Sequence, residues 1–272
     1  MRLPDNSTCS PMTISNKLLL TALLVLSLPV NGRAQHKQAA NLFGIGYNRQ
    51  LDTYLSPEHY SGGEVRYVNA TTWLRPGCHW ARQMTQQVMV SYTKTRTNDN
   101  QDIGGMYNFH FSFQRRLNTI QLGQGQLEAR FGGGPDFWLG ALYNTRNGNN
   151  PAQARVALRL TPEADVSYKF FSAGKPWEAR LNLAMPIVGL QFSPNYGQSY
   201  YEIFTRDNYD HNVRATWMGS SPTFTTRLTL SIPVAKSHIT LGYLADWQQV
   251  SVNHLKYISY THSLLIGWTI NK

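Results

Sequence analysis

From Ala154 to Phe170 the chain alternates without a break. The even positions, Ala154, Val156, Leu158, Leu160, Pro162, Ala164, Val166, Tyr168 and Phe170, are all apolar. The odd positions, Arg155, Arg159, Thr161, Glu163, Asp165, Ser167 and Lys169, are polar, with Ala157 as the one departure. A period of two makes one β-strand with an oily face and a charged face, since a helix would spread those apolar residues around its circumference. Strands of soluble domains usually run about 5–6 residues. A ribbon this long suits an outer-membrane barrel, where the apolar face meets lipid and the charges face the lumen. A soluble barrel with an apolar core is the rival reading.

The same rhythm recurs along the chain. Phe43, Ile45 and Tyr47 mark a first strand, and Val65 and Tyr67 a second. Val88, Val90 and Tyr92 follow, then Tyr107, Phe109, Phe111 and Phe113 opposite Asn108, His110, Ser112 and Gln114. Leu127 to Tyr143 keeps one parity through Gly132-Gly133-Gly134-Pro135, which predicts one long strand with a bend or bulge at the glycines. That strand and the 154–170 strand form a tall hairpin, with Glu128 and Arg130 on the same polar side as Arg155 and Arg159. Beyond Pro186 the pattern dissolves, and regularity returns at Leu228. About eleven strands can be counted; single-chain bacterial barrels use even numbers. The expectation is therefore an all-β, antiparallel up-and-down transmembrane barrel of 12 strands, the last one within 193–221, with 10 as the fallback.

The amino-terminal segment changes the picture from fold to location. Leu18–Val30 is an apolar run between Lys17 and the small-residue site Gly32-Arg33-Ala34. This reads as a cleaved signal peptide over 1–34, with translation starting at Met12 as an alternative to Met1. A polar leader at 35–41 and a single barrel domain over 42–272 complete the expected organisation. Cys78 is then the one cysteine of the mature chain, so no internal disulfide is expected. Asn271-Lys272 stands where an outer-membrane assembly signal would carry a terminal aromatic.

Composition agrees. Charged residues make up 15% of the chain, against roughly 25% in ordinary soluble domains. The formal charge is +10, of which Arg2, Lys17 and Arg33 against Asp5 account for +2, leaving +8 beyond residue 34. An exported chain without a basic helix does not point to nucleic acid. The expected partners are outer-membrane lipids and lipopolysaccharide, and the barrel-assembly machinery during biogenesis.

Three kinds of chemistry can be weighed. Glu128, Arg130, Arg155, Arg159, Glu163, Asp165, Lys169, Glu178, Arg180 and Arg227 share the inward parity and form a candidate lumen cluster of both signs. Such a cluster either pairs and stiffens the wall or selects ions. Tyr196, Ser199, Tyr200, Tyr201 and Glu202, together with Asp52, Tyr54 and Ser56, offer hydroxyls and carboxylates for a sugar or lipid headgroup. They equally suit girdles and hydrogen-bond ladders. Hydrolysis of lipid or lipopolysaccharide would need a serine and a histidine in reach, and Ser56, Ser199, His110, His262, Asp52 and Asp246 are the available ingredients. No G-x-S-x-G elbow, H-E-x-x-H or paired-cysteine pattern occurs, so no catalytic residue, metal site or cofactor is assigned.

At Leu51-Asp52-Thr53-Tyr54-Leu55-Ser56-Pro57, in Pro186–Phe204 and in Gly242–Gly267, the sequence resembles an uncharacterised family of Bacteroidota, a domain of unknown function. The resemblance spans most of the chain. It implies an exported outer-membrane β-barrel and no defined activity.

Overall fold

The computed structural model describes residues 36–74, 76–235 and 237–271. The signal peptide expected over 1–34 lies outside them. Thirteen strands and one short helix follow in order: β1 His36–Asp52, β2 Ser56–Leu74, β3 Trp80–Lys94, β4 Gln101–Arg116, β5 Ile120–Leu122, β6 Gly125–Asn144, β7 Ala152–Ser172, β8 Lys175–Ala184, β9 Val188–Phe192, α1 Tyr200–Thr205, β10 Val213–Trp217, β11 Thr223–Val234, β12 Ser237–Val252 and β13 Leu255–Asn271. All strand pairings are antiparallel.

Ten of these strands close on themselves. The circuit runs β7–β8–β11–β12–β13–β1–β2–β3–β4–β6 and returns to β7. Following paired residues from Ile45 one way around the barrel reaches Val166 on β7; the other way reaches Ala154, twelve residues earlier. This stagger tilts the strands against the barrel axis, as closure requires.

The count is ten staves, not twelve. The irregular stretch 193–221 does contain a strand, β10, but it pairs only with β9, and β9 pairs with the Val156–Leu160 part of β7. Pro186 separates β8 from β9, so these two short strands run successively beside the same neighbour. They lengthen the wall on one side and add no stave. β5 folds back on the start of β6.

The expected bulge at Gly132–Gly134 is absent: β6 keeps one register against both β4 and β7. The glycines instead permit close approach. A Cβ at Gly132 would collide with the Phe113 carbonyl, and one at Gly134 with that of Phe111. The stretch expected as a polar leader belongs to β1, where Gln38 pairs with Asn271 and Thr72.

The barrel is inside out by the standard of a soluble domain. Ile45 is 70% exposed, Leu264 68% and Leu158 53%, all on the outer face. Arg66, Arg130 and Glu163 are 3%, 2% and 2% exposed on the inner one. Apolar burial is confined to small groups such as Leu42, Val68, Leu244 and Leu265. The interior is held together by polar side chains.

Candidate functional site

The lumen is braced at three levels. Near the lower end, where β1 begins and β13 finishes, Arg130 Nη2 lies 2.5 Å from Asp165 Oδ1, and Arg180 Nε reaches the same oxygen at 3.5 Å. Arg180 Nη2 also meets Glu178 Oε1 at 3.2 Å, and Arg116 Nη2 meets Glu128 Oε2 at 3.0 Å. Gln38 of β1 donates to Glu178 at 3.2 Å across the opening. Lys169 and Glu128 line the vestibule below, a recess of about 600 Å³.

Halfway up, Glu163 accepts from Gln83 at 2.6 Å, Gln114 at 2.7 Å, Asn182 at 2.7 Å and the Ser112 hydroxyl. Among the described residues no arginine forms an ion pair with it; neutral donors from β3, β4 and β8 bond the carboxylate, and Arg227 lines the same cavity as Glu163. Arg159 Nη2 pairs with Asp136 at 2.7 Å. Arg66 Nε lies 3.1 Å from Glu64, and its fork also bonds Gln87 and Thr261. The cavity between Glu163, Arg159, Asp136 and Arg227 has a volume of about 30 Å³, room for no more than a water or two.

At the upper rim Arg155 crosses the barrel to Asp52 at 2.5 Å, with its guanidinium over the Tyr257 ring at 3.2 Å from the centroid. Gln50 and Asn144 both donate to Asp102. Above them the Tyr54 and Tyr200 rings meet edge to face, 5.7 Å apart, and tie the β1–β2 link to α1. The α1 start is a capping box: the Glu202 amide donates to the Ser199 hydroxyl, and the Ser199 amide donates to the Glu202 carboxylate. Burial pushes the Tyr200 phenol up to about 12 and raises that of Tyr54 further. Both stay protonated at neutral pH and can take part in hydrogen bonds as neutral phenols. The backbone amide of Ser199 holds Glu202 below the usual carboxylate range.

The structure therefore divides the residues singled out from the sequence. Glu128, Arg130, Asp165, Glu178 and Arg180 form one lower cluster. Glu163 and Arg159 sit in separate mid-lumen networks, and Lys169 is exposed at the rim. Asp52, grouped with the ligand candidates, is the partner of Arg155. Tyr54 and Tyr200 join it at the rim. Tyr196 and Tyr201 point away, 75% and 60% exposed, and Ser56 accepts from the Glu58 amide. Glu64, Arg66, Asp102 and Asp136 are inward charges absent from the candidates drawn from the sequence, and Asp246, weighed there for hydrolysis, lies 3.6 Å from Arg66 Nη1. Glu64 and Arg66 flank Val65, so the alternation there carried the signal.

The hydrolytic ingredients are dispersed. His110 is buried in the lumen with Nε2 unpartnered, while the neighbouring Ser112 serves Glu163. His262 faces outward, its Nδ1 2.5 Å from the Tyr243 hydroxyl.

Fold and interior define a closed, ten-stranded antiparallel β-barrel with an apolar exterior and an ion-paired lumen. The chain belongs to the DUF3316 family, described as a protein of unknown function, whose model matches residues 17–271. No curated protein matches the sequence. Among solved structures, it is similar to the outer membrane protease OmpT from Escherichia coli, with 9% identity and a TM-score of 0.46 over 90% of this chain and 99% of that one. It is also similar to the translocator domain of the autotransporter NalP from Neisseria meningitidis (9% identity, TM-score 0.35, covering 92% and 95%). A third is Ail, the attachment invasion locus protein of Yersinia pestis, with 8% identity and a TM-score of 0.27, covering 86% and 98%.

Proposed function

We propose that the chain is an integral outer-membrane β-barrel whose interior is closed by its own ion pairs, serving the envelope as a structural or ligand-holding wall rather than as an open pore. The observation that carries this reading is the inverted polarity. Phe43, Ile45, Val65, Val90, Leu264 and Ile266 are exposed on adjacent staves, β13–β1–β2–β3. Soluble monomers rarely expose contiguous apolar patches beyond a few hundred Å². Hydrocarbon chains are the solvent that suits such a surface, and β13, β1, β2 and β3 are each paired on both sides, with no free strand edge among them.

Tyr47, Tyr92 and Tyr143 sit on the upper part of the outer face, and Trp268, Phe113 and Phe131 on the lower part, as two aromatic girdles would. Both ends of the barrel chain emerge at the lower rim, and the 193–212 connection with α1 lies at the upper one. By the usual rule of short periplasmic and long external connections, the upper rim faces outward from the cell. The mid-lumen void of about 30 Å³ supports a closed bore.

Outer-membrane fractionation with heat-modifiable gel migration tests the location; recovery in the soluble periplasmic fraction would refute it. Planar-bilayer recording tests the bore. Silence is expected, and steady ohmic openings would overturn the closed-wall reading.

A further inference from the structure

The wall is interrupted beside β8 and β11, and the interruption opens outward. The ladder between β8 and β11 ends at Ala184↔Thr225, and the β9–β10 ladder starts again at Val188↔Trp217. Between them Met218–Pro222 loops out; Ser220 and Ser221 amides turn back onto the Trp217 carbonyl, and Pro222 accepts from the Gln249 amide of β12. Across this interval the ladder is reduced to the Met218 amide on the Ile187 carbonyl, and the loop is tied to β12 by the Ser251 amide on the Ser220 carbonyl. A notch of about 490 Å³ results, lined by Met185, Met218, Phe224, Trp247, Tyr260 and His262.

Its walls are largely apolar, and two pairs of its polar groups bond each other, while the Thr223 hydroxyl at its inner side has no partner among the described residues. The Tyr243 hydroxyl bonds His262 Nδ1, and Gln249 bonds the Tyr260 hydroxyl. Two methionines suit a flexible, irregular apolar guest. The notch is continuous with the outer apolar band, beside Tyr243 and Leu264. Its upper border is cationic: exposed Arg49 is the register partner of Tyr260, and exposed Lys256 lies on the same outward face of β13. Neither forms an ion pair among the described residues.

We propose that this notch seats one acyl chain of an anionic membrane lipid, whose phosphate rests between Arg49 and Lys256. The inference rests on the membrane reading above. Apolar depth and cationic border match the two halves of such a lipid in the order that a chain descending from the upper interface would meet them. A barrel without the defect would offer lipid a smooth wall and no preferred site.

Native mass spectrometry of the detergent-purified barrel, titrated with palmitoyl-oleoyl phosphatidylglycerol or phosphatidylcholine, reads the site directly. The unaltered chain should retain one phosphatidylglycerol in preference to phosphatidylcholine. Met218→Trp fills the notch and should cut retention about tenfold, the effect of losing contact with about two methylenes. The double variant Arg49→Gln/Lys256→Gln should keep lipid binding and lose the headgroup preference. Equal retention by the unaltered and Met218→Trp chains would overturn the seat, and an unchanged preference in the double variant would overturn the phosphate contact. As a second check, dibrominated-chain phosphatidylglycerol at one lipid per barrel should quench Trp247 fluorescence. Quenching that is unchanged in Trp247→Phe would count against the proposal. Heat-modifiable migration of each variant separates a failed notch from a failed barrel: a chain that is not membrane-integrated loses the shift altogether.

Discussion

Arg155 Nη2 lies 2.5 Å from Asp52 Oδ2, and the two side chains come from opposite sides of the barrel. β1 and β7 are five strands apart in either direction around the circuit. The pair is a strut across the full bore, and Tyr257 backs it with its ring face. Removing one partner of a buried ion pair leaves the other charge uncompensated and typically costs about 3–5 kcal/mol. Arg155→Ala and Asp52→Ala should each lower stability by about that much in urea titrations of the folded barrel. The double variant should lose less than the sum, because neither charge is then stranded.

Glu163 offers a contrast, since neutral donors hold it. Glu163→Ala would leave Gln83, Gln114, Asn182 and Ser112 without their common acceptor. A loss of about 3 kcal/mol or more is expected, as unmet buried donors cost about 1–3 kcal/mol each. Glu163→Gln keeps one acceptor oxygen and should recover part of the loss. Equilibrium unfolding of the two variants side by side checks the ordering.

The outer face makes the sharpest distinction between solvents. Ile45→Arg and Leu264→Arg place a cation on paired positions of the apolar band. In a bilayer each should cost roughly 2–4 kcal/mol near the midplane. On a water-exposed surface the same changes would stay within about 0.5 kcal/mol. Unfolding measured in lipid vesicles decides between the two.

Glycine positions should separate by what lies opposite them. Gly132→Ala would force a methyl into the Phe113 carbonyl, so the β4–β6 register must open or shift. Gly105 faces open space, and Gly105→Ala should change stability by no more than about 0.5 kcal/mol. Thermal loss of heat-modifiable migration ranks them.

Asp99, in the link between β3 and β4, is held at about 2 chiefly by the Thr97 hydroxyl, with Thr95 and Arg146 adding to it. A depressed carboxylate contributes its tie above the unfolded value of 3.8 and loses it as pH falls toward 2. Carboxyl NMR titration should place its midpoint there, and Thr97→Ala should move that midpoint upward.

Much of the barrel can be read from alternation alone. The faces of β4, β6 and β7 follow residue parity, because a pleated strand leaves a side chain no third direction. The number of staves cannot be read that way. β9 and β10 look like strands in isolation, and only their partners reveal that they extend existing staves. The lumen was legible as a set of inward charges, but not as pairs. Parity tells which face Arg155 takes, while its meeting with Asp52 depends on stagger and tilt, which emerge only on closure. Asp52, the last residue of β1, reads from the sequence as a ligand candidate because it stands beside Tyr54 and Ser56, where a carboxylate suits binding as well as bracing.

The β1–β13 seam has a consequence for how the molecule comes into being. It joins the first strand of the barrel to the last, with Ile45 beside Leu264. Until the final stave is synthesised, two open borders of unpaired amides and carbonyls must be shielded by something else. The ring can shut only after β13 has been made, and loss of Leu255–Asn271 would strand every preceding stave as an open sheet.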